Sequence, residues 1–113
     1  MKIVTDIKLA IAVVALIWTQ FTFANGVRGN PNCANWLQPE NTAAELRNKS
    51  WLVGYLSGVN IGLATDQRRK PFDYFSNVTN DQLFLWMDNY CRANPLSSVM
   101  TGSANLFVEL SNK

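Results

Sequence analysis

Apolar residues recur at helical spacing in three stretches of the chain, and none shows the alternation of a β-strand. The first begins near Thr42 and continues through "LRNKSWLVGYLSGVNIGLA". Leu46, Val53, Leu56 and Ile61, with Trp51 and Tyr55, make its broad apolar face. Thr42 and Glu45 have the capping-box spacing, in which each side chain satisfies a free amide of the first turn. In the second, Leu83, Trp86, Met87 and Tyr90 share one helical face. Thr79 and Gln82 repeat the capping-box spacing, and Asp81 suits the positive end of the helix. Asn94-Pro95 ends this helix, because the residue before a proline avoids the α region. The same pair predicts the start of a third helix, with Asn94 as N-cap and Pro95 as first residue. Its stripe is Leu96, Val99, Ser103, Leu106 and Leu110, widened by Met100 and Phe107.

Shorter features fill the gaps. "NCANWLQ" predicts one helical turn with Trp36 and Leu37 turned inward, interrupted by Pro39. "NGVRGNP", Asn25 to Pro31, predicts a mobile leading segment. Gly54, Gly58 and Gly62 recur every four residues in the first helix, each costing about 1 kcal/mol of helix propensity against alanine. Three on one stripe predict a closely approaching backbone, from another helix of the same chain or from a dimer mate. Thr65 to Val78 holds Arg68, Arg69 and Lys70, a proline and three aromatics, without a clean helical period. A connection of this length in a small domain is more often functional than an ordinary link.

Composition narrows the setting. Lys2 and Lys8 precede a ten-residue apolar run, Leu9 to Trp18, and then the more polar "TQFTFA". Thr22 and Ala24 stand at −3 and −1 of a cut after Ala24, the layout of a secretory signal peptide over residues 1–24. A membrane anchor is the rival, but a spanning helix needs about 20 apolar residues. Lipidation has no cysteine near the cut. Residues 25–113 are then one small domain with eight Lys/Arg and seven Asp/Glu. That balance gives no reason to expect nucleic acid or an anionic membrane surface as partner.

Cys33 and Cys91 are the only cysteines. An even count in an exported small domain implies a disulfide, and one pairing is possible within the chain. An intermolecular bridge is the alternative. The expected architecture is all-α: a small bundle of three main helices plus a short N-terminal helix, stapled by one disulfide.

Catalytic chemistry finds little support. The chain has no histidine, which removes Ser-His and Cys-His catalysis and the commonest zinc ligand. Two cysteines do not make a structural zinc site. Asp66, Asp73, Asp81 and Asp88 have no calcium-loop spacing, and no cofactor motif is present. Arg92 beside Cys91 would suit a reactive thiol, but export and the matching Cys33 favour a structural role. Asp81 and Asp88 share a helix face about 10 Å apart along the axis, slightly beyond glycosidase spacing. No enzyme, metal or cofactor is therefore expected.

Binding remains. Arg68 and Arg69, with Phe72 and Tyr74, are the expected partner-binding residues of a protruding loop, since arginine and aromatics are enriched at interface centres. The plainer reading is a solvated turn with its aromatics folded under the core.

"WLVGYLSGVN", then "WMDNYCRANPL", then a helix ending "LFVEL" in a small exported helical chain resembles the Rap/Tai family of immunity proteins. The similarity runs from Cys33 to about Leu110 and is most specific over Asp88 to Leu96, with Gly54 to Gly58, Cys33 and Trp36 fitting the outline. The resemblance implies a periplasmic, disulfide-bonded, all-α protein, commonly a homodimer. Such proteins protect bacteria by binding a type VI secretion amidase effector, a peptidoglycan-cleaving enzyme, and occluding its active-site groove. The placement of the contact loop comes from its length and composition, not from the family. The alternative function is a small periplasmic chaperone or envelope accessory protein of the acid-stress type.

Overall fold

A computed structural model describes residues 27–113. The expected leader, residues 1–24 with its cut after Ala24, lies outside them. The described chain is helical, with four helices: α1 (Cys33–Leu37), α2 (Thr42–Thr65), α3 (Asn80–Ala93) and α4 (Val99–Ser111). α3 packs against both α1 and α4, and α2 against α4.

The core explains this arrangement. Cys33 and Trp36 of α1 meet Leu83, Met87 and Cys91 of α3, while Leu52 and Leu56 of α2 and Val99 and Leu106 of α4 complete the cluster. Cys33 and Cys91 form the expected disulfide, with Cα atoms 4.9 Å apart and both residues fully buried. It closes a loop of 58 residues by sequence separation, for which chain entropy gives about 4 kcal/mol. Beside it the Trp36 indole Nε1 donates to Asp88 Oδ1 at 2.7 Å, a second tie between α1 and α3.

Helix ends follow local chemistry, with two shifts from the sequence expectation. α3 starts as predicted: Thr79 Oγ1 accepts from the Gln82 amide at 3.3 Å, and Gln82 Oε1 accepts from the Thr79 amide at 2.8 Å. α2 is capped one residue earlier than expected, by Asn41, whose Oδ1 accepts from the Ala44 amide at 2.9 Å. Asparagine is among the best N-caps, and Glu45 is left to pair with Lys49 at 2.6 Å.

The larger shift is at α4, which starts at Val99 with Ser98 as N-cap, four residues after Pro95. The leading segment causes it. Cys33 N donates to Ser97 O and Val99 N to Pro31 O, both at 3.0 Å, making an isolated antiparallel bridge between Asn32 and Ser98. These bonds hold Ser98 extended, and 94–97 form a turn closed by the Ser97 amide donating to Asn94 O at 3.0 Å, rather than the first turn of the helix. Leu96, expected in the apolar stripe, is fully exposed.

The segment expected to be mobile is tied down over its described part. Trp51 Nε1 donates to Arg28 O at 2.8 Å, and Asn30 Oδ1 accepts from the Met100 amide at 3.0 Å. Pro31 is buried. Gly29 adopts φ 73°, and a β-carbon there would meet Trp51 Cδ1 at 3.3 Å.

α2 buries only part of the predicted face: Leu56 is in the core and Trp51 packs against it. Ala44, Asn48, Leu52 and Leu56 are inside, while Leu46 and Ile61 are exposed. Large apolar residues lie on several sides of this helix, so its periodicity does not select one face. The glycine stripe is also open: a β-carbon at Gly54, Gly58 or Gly62 would meet nothing within 4 Å. No described helix of the same chain covers it. The close approach occurs instead at Gly102, where a β-carbon would lie 2.7 Å from Met87 Sδ and from Tyr90 Cδ1.

Candidate interaction surface

The loop from Asp66 to Thr79 joins α2 to α3 and carries the four residues expected to bind a partner. Asp66, the C-cap of α2, organises its start. Asp66 Oδ1 accepts from the Arg68 amide at 3.0 Å and from Arg68 Nε at 3.1 Å. Arg69 Nε stands 3.9 Å from Asp66 Oδ2, and its amide donates to Asp66 O at 2.9 Å. The side-chain and amide hydrogen bonds from Arg68 hold the Asp66 carboxyl below its ordinary value. Arg68 and Arg69 therefore share one counter-ion, while Arg68, Arg69 and Lys70 all remain exposed.

Asn60 pins the middle of the loop to α2. Its Nδ2 donates to Asp73 Oδ1 at 2.9 Å, and its Oδ1 accepts from the Tyr74 amide at 3.1 Å. Asp73 Oδ1 also accepts from the Phe75 amide at 2.9 Å. Asn60 and Asp73 are absent from the sequence-based set of functional residues. The only local signal was Asp73 two residues before Phe75, the spacing at which an aspartate side chain bonds its own backbone.

The aromatics divide between two roles. Phe75 packs edge-on against Phe107 of α4 at 5.2 Å, and Tyr74 does the same at 5.6 Å. Both are half-buried. Phe72 stands edge-on to Tyr74 at 5.0 Å and is 59% exposed. Tyr74 is thus a support packed between Phe72 and the core, with Phe72 the outer tip. Beside the loop lies a groove of about 330 Å³, with Leu56, Leu83, Phe75 and Val78 among its lining and Ile61 at an exposed position. The result is an exposed surface of two arginines, one lysine and a phenylalanine on a loop tied at the amides of Arg68, Arg69, Tyr74 and Phe75.

The other sequence candidates have structural placements. Cys91 is in the disulfide, so it is not a free thiol. Asp88 is bonded to Trp36, whereas Asp81 is exposed in the first turn of α3. Among the described residues no group of three or more His, Cys, Asp or Glu side chains is placed to hold a metal ion. No described helix is long and apolar enough to cross a membrane.

No protein-family model, curated protein or solved structure matches the chain.

Proposed function

We propose that the chain is a periplasmic immunity protein that binds a peptidoglycan amidase effector of a type VI secretion system and covers its active-site groove. The observation that carries the reading is the pinned loop. Asp66 and Asn60 fix its backbone, so Arg68, Arg69 and Phe72 are presented with little further ordering. Preorganisation of this kind raises affinity by lowering the entropy lost on binding. A cationic, aromatic tip suits a partner groove with acidic and apolar walls.

A second copy belongs to the same reading. The outer face of α2, which carries Gly54, Gly58 and Gly62 as well as exposed Leu46 and Ile61, admits another helix at close range. We assign the homodimer contact to this face.

The test is affinity for the purified cognate amidase. Arg68→Ala/Arg69→Ala and Phe72→Ala should each weaken binding by an order of magnitude or more, as expected for interface anchors. Unchanged affinity in both variants overturns the loop as contact surface. Failure of the unmodified protein to inhibit any amidase encoded beside it overturns the immunity reading itself.

A further inference from the structure

A cleft of about 250 Å³ opens between α1 and the facing turns of α2 and α3, and it shares no lining residue with the loop. Trp36 and Leu37 give it an apolar wall, while Glu45, Asn48, Lys49, Asp88 and Arg92 bring polar groups. Asp88 and Arg92 stand one helical turn apart on α3, with the acid before the base, a favourable order for ion pairing. No ion pair forms between them. Asp88 gives Oδ1 to the Trp36 indole at 2.7 Å, and Arg92 Nη1 makes a long 3.4 Å bond to Asn89 Oδ1. A carboxylate accepts through both oxygens, so Asp88 Oδ2 is available to a further donor.

Asn48 adds a second acceptor. It is 5% exposed, and its Nδ2 donates to Asn35 O at 2.9 Å. Its Oδ1 accepts nothing from the described residues. Lys49, the remaining cation of the cleft, is occupied by Glu45 at 2.6 Å and lies over the Phe84 ring. The cleft thus combines acceptor oxygens of Asp88, Asn48 and Glu45 that accept nothing from the described residues, one lightly engaged guanidinium and an apolar wall.

We propose that this cleft binds an α-amino acid or dipeptide zwitterion. Its ammonium meets Asp88 Oδ2 and Asn48 Oδ1, and its carboxylate meets the Arg92 guanidinium. The size follows from the helix. Four residues advance about 6 Å along the axis, and an extended peptide covers about 3.3–3.6 Å per residue. One or two residues therefore span the gap, in keeping with a cleft smaller than the roughly 300–1,000 Å³ of drug-sized sites. This assignment is independent of the immunity reading.

The experiment is a nuclear magnetic resonance titration of the disulfide-intact protein with alanyl-alanine, following the Trp36 indole N–H. The resonance is assigned by its loss in Trp36→Phe. The expected result is a saturable shift with the dipeptide. N-acetyl-alanyl-alanine and alanyl-alanine amide, each lacking one charge, should bind about tenfold more weakly or worse, the scale of a lost hydrogen bond to a charged group. Arg92→Gln should weaken the dipeptide and leave the amide-blocked analogue unchanged. Asp88→Asn retains an acceptor for the indole, so the fold is kept, and should weaken the dipeptide and leave the N-acetylated analogue unchanged. No shift at tens of millimolar dipeptide, or equal binding of the blocked analogues, overturns the proposal.

Discussion

Gly102 on α4 stands directly against Tyr90 on α3: a β-carbon at Gly102 would lie 2.7 Å from Tyr90 Cδ1. The same β-carbon would also lie 2.7 Å from Met87 Sδ, on a residue with no exposed surface. Gly102→Ala must therefore push two packed side chains or separate two helices. Overpacking of this kind costs about 1–3 kcal/mol, against about 1 kcal/mol gained in helix propensity. A net loss of stability is expected, read as a lower urea midpoint with an unchanged slope. A gain would show that α3 and α4 adjust at little cost.

Gly58 should behave in the opposite way. Nothing lies within 4 Å of its added β-carbon, so Gly58→Ala should stabilise the monomer by up to about 1 kcal/mol. The measurement is urea unfolding at a concentration where the chain is monomeric. A bulkier Gly58→Leu should leave the monomer folded and abolish association in light scattering. Retained association would remove the α2 face as the dimer contact.

The disulfide carries much of the stability expected for so small a domain. Cys33→Ala/Cys91→Ala should lose about 4 kcal/mol through the unfolded-state entropy of the 58-residue separation, with a further loss from the emptied core. That is a large share of the roughly 5–15 kcal/mol of an ordinary domain. Denaturation of the double variant checks this. A loss under about 1 kcal/mol would show that helix packing alone suffices.

Asp66 gives a pH dependence with a defined sign. Its folded carboxyl titrates below the ordinary value because Arg68 donates to it from side chain and backbone. Its contribution to loop order is present above the unfolded carboxyl's titration range and is lost as pH falls through the depressed folded value. A carbon-detected titration of Asp66 should show the low midpoint, and Arg68→Ala should raise it. A midpoint that does not move would show that the pair is not formed in solution.

Phe72 and Tyr74 should separate binding from stability. Phe72 is 59% exposed, so Phe72→Ala should change stability little. Tyr74 has edge-on contacts to both Phe72 and Phe107. Aromatic pairs contribute about 0.5–1.5 kcal/mol each beyond burial, so Tyr74→Ala should lower the thermal midpoint clearly. Equal effects of the two substitutions on stability would refute the division between outer tip and inner support.

The helices themselves were legible because their evidence is local. Thr79 and Gln82 cap α3 with the spacing read from the chain, and Leu83 and Met87 bury the expected face. Two cysteines allowed one intrachain pair, and Cys33 does meet Cys91. Along the loop, Arg68, Arg69, Phe72 and Tyr74 announced themselves by composition, but their division of roles did not. That division depends on Phe107, more than thirty residues away, and on Asn60.

Local order along the chain thus determined helix content, the strongest cap and the staple, because each depends on residues a turn apart or on the one pairing open within the chain. Tertiary structure decided where α4 begins, which face of α2 is buried and which glycine is irreplaceable. The bonds of Cys33 and Val99 across to Ser97 and Pro31 outweighed the local Asn94-Pro95 helix signal. Leu46 and Ile61 were apolar enough for the core, yet Ala44, Asn48 and Leu52 occupy it beside the expected Leu56. Gly54, Gly58 and Gly62 looked like a close contact, while the tight contact formed at Gly102, whose neighbours Met87 and Tyr90 come from another helix. Such outcomes depend on which long-range contacts form together, and no window of adjacent residues contains them.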